Sequence, residues 1–523
     1  MTFTQLIIFI LIIQVIHFLG TWKLYKRAGR SVWQAAIPVY NAVILMRIIQ
    51  RPTWWTILLF VPIINLIMFP VIWVETARSF KRNTSLDTWL CVLTLGLYLY
   101  YINYFTSDEY VGKRELNAKS KAGETLSSIL FAVVAATIVH TYVMQPFTIP
   151  TPSLEKSLLV GDFLFVSKFH YGAKTPQTPL ALPMVHDSIP LVGVKSYVSD
   201  VQLPYFRLPG FQEIQRNDIV VFNWPVDTVR MFFDNSGKHY YKPIDKKSNY
   251  VKRAVAIAGD SVAVVDGYVH VNGKRIQLPE RAKPQFSYMV QGKGQGFNPD
   301  FLRSRYDITD GISYYEKDLD QYYIKAMSEE SMESFVNHPN VEKAKRMISP
   351  TDYKANTIFP NNQKYTWNGD QMGPIYVPQK GATVELNAES FGFYQRLIQV
   401  YEGEEMGVQQ EISLKDNQVY INDKPVDSYT FKQNYYWMMG DNRHNSEDSR
   451  YWGFVPETHI VGKPVFIWLS IDPHGSGLNK IRWDRMFTTV SGEGERVSYL
   501  PYFLILVLLG IGYRTFKKKK KNN

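Results

Sequence analysis

Five apolar stretches constrain this 523-residue chain more than any other feature: residues 5–19 (QLIIFILIIQVIHFL), 54–74, 88–105, 126–144 and 497–513. About 20 apolar residues cross a bilayer, so the chain is expected to span a membrane near its start and again near its end. The first stretch lacks a basic start and a small-residue cleavage site and reads as a retained span. Lys113, Arg114, Lys119 and Lys121 precede the fourth stretch, and Lys517 to Lys521 follow the fifth. The positive-inside rule keeps both clusters cytoplasmic and leaves residues 145–496 outside. The loop from Lys23 to Arg51, with six basic and no acidic residues, also reads as inside. Strict alternation then puts Arg78, Lys81 and Arg82 outside, against the rule, unless 54–74, which carries Pro62 and Pro70, is a re-entrant hairpin. The number of N-terminal spans stays open.

Charge placement narrows the partners. The net charge is +11, a balance that raises nucleic acid as a ligand. The first 125 residues hold 13 Lys and Arg against 6 Asp and Glu, and the tail from Arg514 holds six basic residues and no acidic one. The long middle is therefore slightly acidic. Basic excess beside apolar stretches serves membrane orientation, whereas nucleic-acid binding needs a basic folded surface, so the expected partner is the lipid bilayer. Cys91, the sole cysteine, excludes an intrachain disulfide or a cysteine metal cluster. Ten histidines without an H-E-x-x-H pattern imply no metal, and no organic cofactor is implied either. His444 and His459 read as surface or turn residues.

The outer region is mainly β. Apolar and β-branched runs at 163–171, 218–225, 250–274 and 461–470 have strand periodicity. The similar segments VVDGYVHVNGK (264–274) and LKDNQVYINDK (414–424) read as two hairpins. Between them, 281–405 has a helical pattern at 325–347 and many tyrosines, and reads as an inserted α+β subdomain. The expected organisation is a membrane region over 1–125, a transmembrane helix over 126–144, and a β core over 145–280 and 406–496 interrupted by the insert. A transmembrane helix over 497–513 and a cytoplasmic tail over 514–523 follow.

The stretch IPTPSLEKSLLVGD (149–162) contains Ser153-Leu154-Glu155-Lys156, the S-x-x-K of penicillin-recognising serine enzymes. That reading needs an S-x-N and a K-T-G element, and neither occurs in the chain. A second lysine, Lys252 in YVKRAVAIAGD, alternates in a strand with Tyr250, Ala254 and Ala256. Desolvation among such side chains lowers a lysine's pKa and makes it a base; the alternative is a snorkelling surface lysine beside Arg253. A third segment, YYWMMGDNRHNSEDSRYWGFVPE (435–457), packs Gly, Asp, Asn, Ser and Arg between aromatics, which also suits a turn-rich loop with a structural Asp448–Arg450 pair.

Taken together these segments resemble type I signal peptidases, the membrane-bound leader peptidases of bacterial secretion. FTIPTPSLEKSLLVGDFLFVSKFHYG looks like the nucleophile box, QRNDIVVFNWP the strand box, YVKRAVAIAGD the lysine box and GDNRHNSEDSRYWGFVPETHIVG the closing box, in the family's order. The resemblance implies Ser153 as nucleophile and Lys252 as general base. It implies Thr151 and the Ser153 backbone N–H as the oxyanion hole and Ser446 as the hydroxyl orienting the lysine. Asp448, Arg450 and Arg253 match structural support, and the implied fold is a β-rich catalytic core with a variable insert. The implied activity is removal of signal peptides from preproteins after small-x-small sites, by a multi-pass protein of the cytoplasmic membrane with its catalytic domain outside. Phe147, Ile149, Phe163 and Phe165 are candidates for apolar subsites or lipid contact, or for the β core. Lys156 replaces the usual proline, and restoring proline is expected to preserve or raise activity. That departure and the added N-terminal spans leave one alternative, a catalytically idle membrane scaffold. Residues 1–125 fall outside the resemblance, and the oligomeric state stays open.

Overall fold

Helix α1 (Phe3–Arg27) begins at a capping box, in which Thr2 Oγ1 accepts from Gln5 N and the Gln5 side chain accepts from Thr2 N. The computed structural model describes residues 1–116, 120–229 and 237–522; Lys119, one of the orienting lysines, and Asn523 of the tail lie outside them. Further helices are α2 (Ile64–Arg78), α3 (Ser85–Leu93), α4 (Tyr98–Phe105), α5 (Lys121–Ile138) and α6 (Leu500–Asn522). Among the described residues, three helical segments are long and apolar enough to cross a membrane: Phe3–Arg27, Lys121–Val143 and Leu500–Lys520.

Two of the five expected spans are broken. Stretch 54–74 is a short helix at Trp55–Leu58, a break in which Ile63 has φ +70°, and then α2, which continues to Arg78. Pro62 lies in that break, and proline both lacks an N–H and disfavours helix in the residue before it. Stretch 88–105 divides into α3 and α4, bent by 116°. Its hinge holds Leu95 and Gly96 at positive φ, and a Cβ on Gly96 would overlap the Trp73 ring. Asn103 of α4 ties that helix to α1, its Oδ1 accepting from Lys23 N and Leu24 N at 3.0 and 3.2 Å.

The described chain forms two compact units: Met1–Val143 with Lys174–Leu208 and Tyr241–Lys246, and Met144–Ala173 with Pro209–Tyr240 and Lys247–Asn523. Residues 174–208, expected in the first part of the catalytic core, thus fall with the N-terminal helices. Ala181 and Tyr197 pack on Ile63, and the Met1 ammonium donates to Gln202 O at 3.0 Å.

The second unit is built on strands β1 (Met144–Thr148), β2 (Asp162–Ser167), β3 (Ile219–Asn223), β4 (Asn249–Ala256), β5 (Tyr435–Met439), β6 (Val455–Pro456), β7 (Ile460–Ser470) and β8 (Thr488–Thr489). They form one antiparallel sheet in the order β1-β2-β7-β3-β4-β5-β6, with β8 on β7. Every residue of β3 and β5 is buried, which accounts for their near-continuous apolar sequence. The hairpins fall where expected. Val271 pairs with Lys274 across Asn272-Gly273, and Ile421 pairs with Lys424 across Asn422-Asp423. All four turn residues have positive φ, as two-residue hairpin turns require.

Within the expected insert (281–405), residues 285–346 form an α+β layer, whereas Met372–Tyr376 pairs with Ser261–Val265 outside it. Its sheet runs Val341–Arg346, Gln285–Gly292, Gln321–Ser328, Ile312–Glu316, with helices Pro299–Tyr306 and Glu329–Phe335. The helix expected over 325–347 is confined to Glu329–Phe335. Pairing of Met327 and Ser328 with Phe286 and Gln285 overrides the local pattern on one side, and pairing of Ala344 with Val290 does so on the other.

Candidate active site

Ser153 sits in a one-turn helix, Pro152–Leu154, which follows β1. Pro152 occupies the first helical position, where a missing N–H costs nothing. Leu154 and Leu158 anchor the turn in a core with Ile149, Leu164 and Ile467, so Ile149 is a packing residue. Phe163 and Phe165 are half-buried against Trp468, with ring centroids 5.6 and 5.8 Å away.

Lys252 lies in the middle of β4, paired with Val220 of β3, and is only 2% exposed. Its Nζ donates to Ser153 Oγ at 2.6 Å. Burial pushes the amine down from 10.5 to about 8; the Asp448 and Glu447 carboxylates oppose that shift and Arg450 reinforces it. A strand interior is thus what turns an ordinary lysine into a group that titrates near neutrality. Lys156 plays no such part. Its Nζ is 2.7 Å from Asp307 Oδ1 and 3.3 Å from Thr309 Oγ1, both in the insert. Its φ of +71° is one that proline cannot adopt, so the expectation that proline would be accepted at 156 is corrected.

Two buried forks hold the lysine strand and the closing loop. Arg253 donates to both oxygens of Asp441 at 2.8 and 2.5 Å and to Asn217 O at 2.8 Å. Arg450 donates to both oxygens of Asp448 at 2.9 Å, and Asp448 also accepts from Gly440 N at 3.0 Å. Breaking a buried pair by removing one partner costs about 3–5 kcal/mol, because a charge is left without compensation. These pairs therefore fix the geometry of residues 440–450.

The other two expected residues are placed differently. Thr151 is exposed, at the N-cap of the Ser153 turn, and its side chain caps no backbone N–H. Ser446 Oγ is buried beside the site but has no hydrogen-bond partner, so the expected contact that orients Lys252 is not made in this state. His459, expected at a surface or turn, is in a turn but fully buried, 3.4 Å from Lys247 Nζ.

Several site residues had no role assigned from sequence. Asn442 N donates to Ser153 O at 3.1 Å and its Nδ2 to Pro152 O at 3.2 Å. Asp441 also accepts from Ser157 Oγ at 2.5 Å. Gly440 has no room for a side chain, since a Cβ would overlap Ser446 Oγ and the Ser153 carbonyl. All three lie in the closing box, but only tertiary contact shows what they hold. Glu155, two residues after Ser153, is 5% exposed, and burial raises its carboxyl to about 6.

Comparison with known families agrees with this arrangement. Residues 122–344 and 428–469 match the family described as signal peptidase, peptidase S26, and residues 33–113 match a family of unknown function, DUF5684. Signal peptidase I of Buchnera aphidicola subsp. Baizongia pistaciae is 25% identical over 378 residues, 72% of this chain and 86% of that protein. Signal peptidase I of Haemophilus influenzae is 24% identical over 392 residues, 72% and 78% of the two chains. That of Helicobacter pylori strain 26695 is 25% identical over 377 residues, 70% and 92%. With its β-rich core, its apolar helices and a family match over more than half its length, the chain belongs to the signal peptidase family, peptidase S26, and is a serine endopeptidase.

Proposed function

We propose that this membrane-anchored protease removes N-terminal signal peptides from preproteins through a Ser153–Lys252 dyad. The observation that carries the reading is the 2.6 Å contact between Lys252 Nζ and Ser153 Oγ in a buried setting that favours the neutral amine. Neutral Lys252 takes the Ser153 proton, Ser153 Oγ attacks the scissile carbonyl, and the protonated lysine then donates to the leaving amine. Water hydrolyses the resulting acyl-enzyme, again with Lys252 as base. The Ser153 N–H and the Thr151 hydroxyl stabilise the oxyanion; Thr151, exposed at the N-cap, is free to turn toward it. Ser446, with an unused buried hydroxyl, is the group available to hold the lysine as it charges. Asp448, Arg450 and Arg253 keep the closing loop in shape.

The substrate side follows from tethering. Ser153 is nine residues beyond Met144, so an extended link holds it within about 30 Å of the end of the preceding helical segment. Signal peptides present their small-x-small cleavage site after an apolar segment in the bilayer, and the site is tethered where that junction lies. The proposed topology has the catalytic domain on the periplasmic side of the cytoplasmic membrane and the Lys23–Arg51 loop and C-terminal tail inside. Cleavage of a labelled preprotein by the full chain in detergent tests the dyad. Wild type cleaves after a small-x-small site, and Ser153→Ala and Lys252→Ala leave the precursor intact. Cleavage by either variant at the wild-type rate excludes the mechanism.

A further inference from the structure

The proposed oxyanion donor, the Ser153 N–H, belongs to the same planar peptide unit as the Pro152 carbonyl, and in a trans peptide the two point in opposite directions. Whatever fixes Pro152 O therefore aims the Ser153 N–H. Pro152 O accepts from Glu155 N at 2.9 Å within the turn and from Asn442 Nδ2 at 3.2 Å outside it. The next peptide unit is held by the same residue, through Asn442 N to Ser153 O at 3.1 Å. Asn442 thus grips both peptide planes that flank the nucleophile.

An asparagine amide can point either way, and only its surroundings choose. Asn442 Oδ1 is buried without a hydrogen-bond partner, so nothing on the oxygen side makes the choice. On the nitrogen side, the second N–H of Nδ2 donates to Asp310 Oδ2 at 2.8 Å. A flipped amide would set its oxygen against two acceptors, the Asp310 carboxylate and the Pro152 carbonyl. Asp310 is itself steadied, because the same Oδ2 accepts from Asn445 Nδ2 at 2.8 Å while Asn445 Oδ1 accepts from Lys325 Nζ at 2.7 Å. Both Asp310 and Lys325 come from the insert, for which no catalytic part has been assigned above.

We infer that Asp310 is a positioning residue: through Asn442 it orients the Pro152–Ser153 peptide and so aims the Ser153 N–H at the developing oxyanion. The inference rests on Ser153 being the nucleophile. The insert is on this reading part of the catalytic apparatus.

Steady-state cleavage of a labelled preprotein by the full chain in detergent tests it, using Asp310→Ala, Asp310→Asn and Asp307→Ala. Misaiming one oxyanion donor is expected to cost about 10- to 100-fold in kcat, with KM within about twofold and the rising arm of the pH profile unmoved. Asp310→Asn keeps an acceptor oxygen and recovers most of the rate. Asp307→Ala loses only the Lys156 pair and keeps it. Wild-type kcat in Asp310→Ala overturns the inference, as does an equal fall in both alanine variants with KM raised and thermal stability lowered. If alanine at 310 does not give folded protein, Asp310→Ser, too short to reach Asn442, takes its place under the same criteria. Cleavage by Ser153→Ala would instead overturn the dyad itself, a separate outcome.

Discussion

Lys252 and Glu155 are buried ionisable groups whose perturbations make opposite predictions. The lysine's charged form is disfavoured, so the active neutral amine accumulates as pH rises through about 8. The log of kcat/KM is therefore expected to climb and level off with an apparent pKa near 8, and an arm near 10.5 would argue against a desolvated base. Lys252→Met removes a group that is costly to bury and is expected to abolish cleavage while raising the thermal midpoint. Glu155 titrates near 6, above its ordinary 4.5, so the folded protein holds the extra proton and the penalty for burying the carboxylate is present above pH 6. It is relieved as pH falls from 6 toward 4.5. Glu155→Gln, which can still accept from Val160 N, is expected to melt at a higher temperature than wild type at pH 7.5. Melting curves should converge near pH 4.5, and a difference that persists there would mean another cause.

At the scale of elements, the turn carrying the nucleophile departs most from what its sequence suggests. Proline at 156 agreed with the family pattern, but the backbone there is left-handed and the amine is used by Asp307 and Thr309. Lys156→Pro is expected to destabilise the turn, because proline cannot take the positive φ, and to lower activity with it. Lys156→Gly loses the ion pair but accepts the positive φ, and should keep more of both; thermal midpoints and cleavage rates of the two variants decide. Strands and hairpins were legible because alternation and Asn-Gly or Asn-Asp turns are local signals. The helix expected over 325–347 shrank to Glu329–Phe335, since pairing with Gln285–Gly292 came from 41 or more positions away in sequence and left no local trace.

At the scale of the whole molecule, a tethered protease must have its termini on defined sides of the membrane. With Cys91 replaced by Ser, a cysteine at position 2 is expected to react with an impermeant thiol reagent from outside, and one at position 520 only after permeabilisation; the reverse pattern would invert the topology. What the sequence by itself determined are features that are local or periodic: the apolar stretches, the basic clusters, the β-rich core and the boxes holding Ser153 and Lys252. Tertiary structure supplied the contact itself: Lys156 is three residues away in the chain yet points to the insert, whereas Lys252, the base implied by the resemblance, is 99 residues away and bonds Ser153 Oγ at 2.6 Å. It also decided the parts of Gly440, Asp441, Asn442 and Asp310, and the breaks in two of the five expected spans. Composition and periodicity record which face of an element is apolar. A hydrogen bond or a close backbone approach depends on where distant segments meet, and no periodicity encodes that.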